Sequence, residues 1–370
     1  MRVLILTDAR FAAHERALIE RLMVGLAVEG VDARLVLPRD RRLEDYGFEL
    51  ISDPVFYSDR GLALTRRIRA MQIARQLAAD FGKIKGAIDV IHVLGGGAWS
   101  MGRELARILD AGLVFEIWRA GLIDAAKGLH LSEEERALLL APEKHFERWL
   151  VEAGLGPRTR LAPWGAQVPS EPVPIFRPDK NASIVMMSSG RQKELCAAAF
   201  EGLADAVSVR EDVLIFANLE LVERAGLWPM VKEHDLASRF TTIDKSEDRR
   251  DLLLRCDLMI YPDTLHEERT LLLDAMGGGM AIIAGADDAI APIREEMGVE
   301  VVDRPTRSEW AMRIRHLLDN PQEARDAGLA AREYVKGHRR AGNHIEAVTD
   351  AYNAVVELKT GPTPASERHR

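Results

Sequence analysis

Two short stretches carry residue types suited to holding an anion. Ser188-Ser189-Gly190-Arg191-Gln192-Lys193 follows an apolar run and opens a helical one. Amides at a helix start favour negative charge, and Arg191 and Lys193 can grip a phosphate-like group and offset charge as it develops. The same residues also make an ordinary exposed first turn. Gly95-Gly96-Gly97 follows Val90–Leu94 and precedes the helical stretch Ala98–Leu109. It offers backbone N–H groups to a polar ligand, or a plain turn. His92, inside Val90–Leu94, reads as a histidine satisfied within a strand. No HExxH or CxxC spacing and no aspartate-rich motif occurs, so no metal is expected. The two cysteines, Cys196 and Cys256, lie in apolar surroundings. They fit buried reduced thiols and exclude a disulfide framework.

The elements that must position these residues repeat a strand–helix rhythm. At 370 residues the chain exceeds one ordinary core, which favours two domains of similar size. Short runs apolar at consecutive positions, Val3–Thr7, Ala33–Leu37, Val90–Leu94, Val114–Trp118 and Leu138–Ala141, predict strands buried on both faces of a parallel sheet. Ala12–Glu29 has helical spacing of Leu18, Leu22 and Leu26, with Gly30 as C-cap. Four prolines, Pro169, Pro172, Pro174 and Pro178, mark 166–181 as a semi-rigid linker. The rhythm resumes with strands at Ser183–Met187, Val213–Ala217, Phe240–Ile243, Leu258–Tyr261 and Ala281–Ala284. A helical region then runs from Ser308 to about Leu358, punctuated by Asn320-Pro321 and Gly337. The expectation is an α/β chain with a first domain at 1–165, the linker, a second domain at 182–340, a terminal helix at 341–360 crossing back to the first domain, and a disordered tail at 361–370. Ligands of such doubly wound sheets bind at the carboxyl ends of the strands.

Several segments, taken in order, resemble glycosyltransferase family 4, and the resemblance spans nearly the whole chain. Ala12-Ala13-His14-Glu15-Arg16 is similar to the family's Gly-Gly-x-Glu-Arg opening, and Asp89-Val90-Ile91-His92 to its "DVIH" strand. Leu161-Ala162-Pro163-Trp164-Gly165-Ala166 stands where the family has a turn before its linker. Cys256-Asp257-Leu258-Met259-Ile260-Tyr261-Pro262 and the run Leu271 to Ala284 look like its donor-domain signature. Leu317-Leu318-Asp319-Asn320-Pro321, Ala331-Arg332 and Tyr352 match its closing helices.

The resemblance implies the GT-B fold, two Rossmann-like domains facing across a cleft. It also implies transfer of a sugar from a nucleoside diphosphate sugar to a hydroxyl acceptor, with retention, and no cofactor beyond the donor. The second domain would take the donor through Gly190, Arg191 and Lys193 at the diphosphate. Asp274 would stand at the ribose in place of the family's second glutamate. His266 occupies the position of the first glutamate, with Glu267 beside it as the substitute acid. Gly277-Gly278-Gly279 reads as a tight connection that would also admit a nucleotide base. Ala13, His14, Gly95, Gly96 and Gly97 would serve the acceptor side or a phosphate loop. Trp118 stands where the family often has a histidine; it cannot exchange a proton but can stack on a sugar face. Glu116, Trp118 and His266 are therefore the catalytic candidates, with Arg119 nearby.

These substitutions keep two other classes open: a catalytically silent protein of the same fold that binds a glycan or a protein, and a nucleotide-sugar epimerase. The net charge of −8 argues against a nucleic-acid partner. Between Asp59 and Lys85, Arg60, Arg66, Arg67, Arg69, Arg75, Lys83 and Lys85 outnumber Asp59 and Asp80. That stretch fits peripheral contact with an anionic membrane, or a solvated face of a packed helix. The first residues read as a strand rather than a signal peptide, and no apolar run approaches a bilayer span, so a cytosolic protein is expected.

Overall fold

The computed structural model describes residues 1–39, 54–58, 65–82, 84–132, 134–244 and 250–358. The chain divides into two compact units. Unit 1 is Met1–Pro163 joined by the residues from Gly342 onward, and unit 2 is Trp164–Ala341.

Unit 1 contains β1 (Arg2–Thr7), α1 (Ala9–His14), α2 (Arg16–Val28), β2 (Asp32–Pro38), β3 (Val55–Tyr57), α3 (Arg66–Phe81), β4 (Val90–Leu94), α4 (Trp99–Leu109), β5 (Gly112–Glu116), α5 (Gly121–Lys127), β6 (Ala137–Ala141), α6 (Lys144–Glu152) and β7 (Thr159–Leu161). All seven strands are parallel, in the order β3-β2-β1-β4-β5-β6-β7. β4, β5 and β6 are buried along their whole length, as a sheet covered on both faces requires. β3 and β7 are three residues each, too short for a hydrophobic pattern to mark. The single helix expected over Ala12–Glu29 is two, broken at Glu15. The C-terminal helix Ala341–Glu357 packs on unit 1 closely enough to dictate glycine. A Cβ on Gly112 would lie 2.0 Å from Val355, and one on Gly25 would lie 2.5 Å from Ile345.

Unit 2 contains β8 (Ala182–Met186), α7 (Lys193–Val207), β9 (Val213–Asn218), α8 (Leu219–Ala225), α9 (Trp228–Glu233), β10 (Phe240–Ile243), α10 (Arg250–Leu253), β11 (Leu258–Tyr261), α11 (Thr270–Gly278), β12 (Ala281–Gly285), β13 (Val299–Val302), α12 (Arg307–Asp319) and α13 (Pro321–His338). Its six parallel strands run β10-β9-β8-β11-β12-β13. α7 and α12 cover one face through Phe200, Leu203, Trp310 and Ile314, all fully buried. The proline-rich segment is not a free connector. Val173 donates to the Gly278 carbonyl at 2.8 Å, Phe176 N–H donates to Asp257, and Arg332 donates to the Pro169 carbonyl. Gly279, at φ +85°, ends α11 in the left-handed conformation, so the glycine run is the expected helix-to-strand connection. Both units are therefore Rossmann-like. The tail 361–370 lies outside the described residues.

Candidate functional site

In unit 2 the strand order reverses at β8, whose neighbours β9 and β11 lie on opposite sides. Loops leaving the carboxyl ends of two strands that diverge in this way leave room for a ligand. Here the loops after β8 and β11 are bolted together. Ser188 Oγ donates to Asp263 Oδ1 at 2.5 Å, and Ser189 N–H donates to Asp263 Oδ2 at 2.7 Å. Thr264 N–H donates to Gln192 Oε1 at 2.9 Å, and Gln192 Nε2 returns a bond to Thr264 Oγ1 at 3.0 Å. Asn218, at the end of β9, accepts from Ser188 N–H and donates to the Ser188 carbonyl. Gly190 has φ +67°, and a Cβ there would lie 2.8 Å from the Cβ of Arg224. Only glycine suits both demands.

This frame delivers Arg191 and Lys193 to the start of α7, a helix of 15 residues whose N-cap, Gln192, makes no side-chain capping bond. Lys193 is exposed. Arg191 is one-third exposed and forms an ion pair with buried Glu267. Arg224, which the sequence did not mark, reaches the Ser189 carbonyl at 3.3 Å and pairs with Glu220 at 2.6 Å. Three cations thus border one turn of backbone, the setting in which a diphosphate is neutralised.

The acids expected around them are placed differently from one another. Glu267 is beside Arg191. His266 adopts φ +52°, unusual for a residue with a Cβ, and Asp287 holds it there. Its N–H donates to Asp287 Oδ2 at 2.8 Å, and its Nδ1 lies 2.6 Å from Oδ1. Asp274 is corrected: instead of standing open to a ribose, its carboxylate is bound by Arg250 of α10, with both side chains one-tenth exposed. Arg250 and Asp287 carry no local pattern, which is why the sequence missed them. Cys196 lies 3.2 Å from Ser188 Oγ, but burial pushes its thiol up to about 11, so it is protonated and unreactive at neutral pH. Among the described residues no group of three or more His, Cys, Asp or Glu is placed to hold a metal ion.

Unit 1 repeats the reversal at β1, between β2 and β4. Asp8 ties the two loops there, accepting from Phe11 N–H at 2.8 Å and Gly97 N–H at 2.9 Å. Gly95 has φ +96°, and a Cβ would lie 2.5 Å from that carboxylate. Asp8 thus takes the Gly97 amide, one of those that the phosphate-loop reading of Gly95, Gly96 and Gly97 would offer an anion. Ala13 and His14, partly buried, close α1 on the same side.

Glu116 is corrected as a catalytic candidate. It is fully buried, its Oε2 3.0 Å from His92 Nε2, while His92 Nδ1 lies 2.8 Å from the Tyr352 hydroxyl. With a carboxylate at one end, Nε2–H donates to Glu116 and the tyrosine hydroxyl donates to Nδ1. His92 is thus the satisfied strand histidine expected. Trp118 lies beyond β5 and is 3% exposed. Phe11 meets its ring edge-on at 5.6 Å, and the guanidinium carbons of Arg10 and Arg119 lie 5.4 and 5.6 Å from its centroid. No ring face is left for a sugar, which corrects the stacking expectation. The indole N–H and the Arg119 Nε are buried without hydrogen-bond partners among the described residues, and an unmet buried donor costs about 1–3 kcal/mol.

No protein-family model and no curated protein matches the chain. Solved structures do. HepE of Anabaena, in complex with UDP and glucose, superposes with a TM-score of 0.74 at 14% identity, covering 96% of this chain and 100% of that one. Sucrose-phosphate synthase from Thermosynechococcus elongatus gives 0.71 at 13% identity over the same shares. A protein of Listeria monocytogenes assigned as a UDP-N-acetylglucosamine 2-epimerase gives 0.65 at 16%, covering 96% of each chain. At these identities the likeness concerns the fold: the chain has the GT-B fold of glycosyltransferases.

Proposed function

We propose that the protein is a glycosyltransferase that moves a sugar from a nucleoside diphosphate sugar to a hydroxyl acceptor. The carrying observation is the switch point of unit 2, where Asp263 and Gln192 lock a glycine turn bordered by Arg191, Lys193 and Arg224. A structure of the same fold that carries UDP and glucose supports a nucleotide-sugar donor. The cations of unit 2 favour that unit for the donor, and the family resemblance gives the acceptor to unit 1. In the reaction the bond between the anomeric carbon and the diphosphate breaks, the diphosphate leaves with the electron pair, and the acceptor oxygen takes its place and loses a proton. The three cations would stabilise the departing charge. Arg191 would turn from Glu267 toward the diphosphate, leaving Glu267 and His266 to face the donor sugar. Retention rests on the family resemblance alone. The mechanism asks for no metal or further cofactor.

The test is thermal unfolding with UDP and GDP. One nucleotide should raise the melting temperature, and Arg191→Ala should remove the rise. A full nucleotide panel without effect rejects the donor site. The engagement of Asp274 by Arg250 and of Glu116 by His92 favours, as a second reading, a protein that binds without turnover. Slow release of free sugar from donor alone identifies a transferase, and none at any pH identifies a binding protein. Conversion of the donor to an isomeric nucleotide sugar would instead identify an epimerase. Among the described residues no helix is long and apolar enough to cross a membrane. Peripheral contact through the basic face of α3, and a cytosolic location, belong to this proposal and are read by vesicle co-sedimentation and cell fractionation.

A further inference from the structure

We infer that a groove of unit 1 between α3 and α4 binds the phosphate headgroup of an anionic phospholipid; this deepens the peripheral-contact reading above and rests on it. The two helices pack side by side. With Ile84 and Lys85, just beyond α3, they line a groove of about 760 Å³, the size of a small-ligand site. Four cations line it: Arg66, Arg67, Lys85 and Arg107. Among the described residues Glu104 is the one acid of the lining. It lies 3.6 Å from Arg107 and 3.8 Å from Arg67, whose side chains stay 62% and 82% exposed. Ion pairs so open to water are weak. Glu135 lies 3.9 Å from Arg107, but both its oxygens are held by Arg103, at 2.7 and 2.8 Å. Arg66 and Lys85 have no acidic partner among the described residues. Four cations less one acid leave three positive charges in excess, on a chain of net charge −8. A cleft of one sign concentrates the opposite charge.

Cations alone would fit any anion. The rest of the lining narrows the choice, because Met71, Ile84 and Ile108 are half-buried there. A free phosphate leaves those side chains in water. A phospholipid places its phosphate on Arg66 and Lys85 and covers them with its glycerol and first methylenes. Ile68, one turn before Met71 on α3 and 61% exposed, adds apolar surface beside the groove, as a helix resting on a bilayer does.

The test is co-sedimentation of the full chain at about 0.15 M salt, with vesicles of phosphatidylcholine alone or with one-third phosphatidylglycerol. The protein is expected to sediment only with the second. Lys85→Glu, at an exposed position, should weaken that binding at least tenfold, as should Arg66→Glu. Lys144→Glu, the same charge change at an exposed site on α6, should stay within twofold. Ile84→Ser leaves the charge unchanged and should weaken binding at least threefold, whereas Ile84→Val should not. Met71→Ser serves the same purpose if Ile84→Ser lowers the melting temperature. Glycerol 3-phosphate in excess should displace nothing. Unchanged binding after Lys85→Glu, or an equal loss after Lys144→Glu, overturns the proposal. Indifference to Ile84→Ser and Met71→Ser overturns it too, reducing the contact to diffuse attraction while peripheral binding survives. Displacement by glycerol 3-phosphate would give the groove to a soluble ligand and likewise overturn it. No sedimentation with either vesicle rejects peripheral contact and the groove with it. The UDP response is read separately: its absence in wild type rejects the transferase reading and leaves the groove standing.

Discussion

Asp263 accepts a hydrogen bond from Ser188 Oγ at 2.5 Å although 75 residues separate them in sequence. This contact joins the first strand of unit 2 to the fourth, across the point where the sheet reverses direction. It fixes the turn that presents Arg191 and Lys193.

Asp263→Ala should therefore remove both stability and binding. It leaves Ser188 Oγ and Ser189 N–H without their acceptor in a buried setting, which corresponds to about 2–3 kcal/mol. Chemical denaturation should show that loss, and calorimetry should show UDP affinity falling at least tenfold. Asp263→Asn, which keeps one acceptor oxygen, should lie between wild type and the alanine variant.

Glu267→Gln separates binding from turnover. The carboxylate occupies Arg191 in the absence of donor, so its removal should tighten UDP roughly three- to tenfold. Donor hydrolysis should fall if the same carboxylate serves the sugar. Weaker binding of UDP in this variant would mean that Arg191 does not meet the diphosphate.

Asp274→Ala should act on stability and not on the nucleotide. Its partner Arg250, largely buried, would lose this counter-charge while keeping its bond to Thr270 Oγ1, a loss of about 2–3 kcal/mol in the melting transition. UDP affinity should stay within about twofold of wild type, a change of less than 0.5 kcal/mol. A large loss of affinity with unchanged stability would restore the ribose role.

Tyr352→Phe should destabilise unit 1 by about 1–2 kcal/mol, since it removes the hydroxyl that His92 Nδ1 meets inside the sheet. Hydrogen exchange should show the C-terminal helix Ala341–Glu357 losing protection first. UDP affinity should not change.

The two thiols set an alkaline limit. Burial raises Cys196 to about 11 and Cys256 to about 12, against an ordinary value of 9.0. Both folded values lie above the unfolded one, so their contribution is complete below pH 9 and is lost as pH rises through 11 and then 12. The contributions are on the order of 3 kcal/mol for Cys196 and about 4 kcal/mol for Cys256. Unfolding experiments should show stability falling across that window. Thiol reagents at pH 8 should label the native protein only as fast as it unfolds.

The sequence by itself determined the layers and the cation-bearing glycine turn at Ser188–Lys193. Consecutive apolar runs such as Val90–Leu94 and Leu258–Tyr261 are readable because a strand buried on both faces leaves no place for a polar residue. Ser188–Lys193 is readable because glycine, small residues and cations stand together in one local segment. The partners of those residues were decided only in three dimensions. Asp274 shows a ribose acid to the eye and an Arg250 counter-ion in the fold. Glu116 shows a candidate base and proves to be a link to His92 and Tyr352, and Trp118 shows a stacking platform whose ring is already covered. In each case the side chain's type is local, whereas its neighbour is set by strand register and by loops that meet from distant parts of the chain. Charge pairing depends on that separation in space, which residue order does not contain.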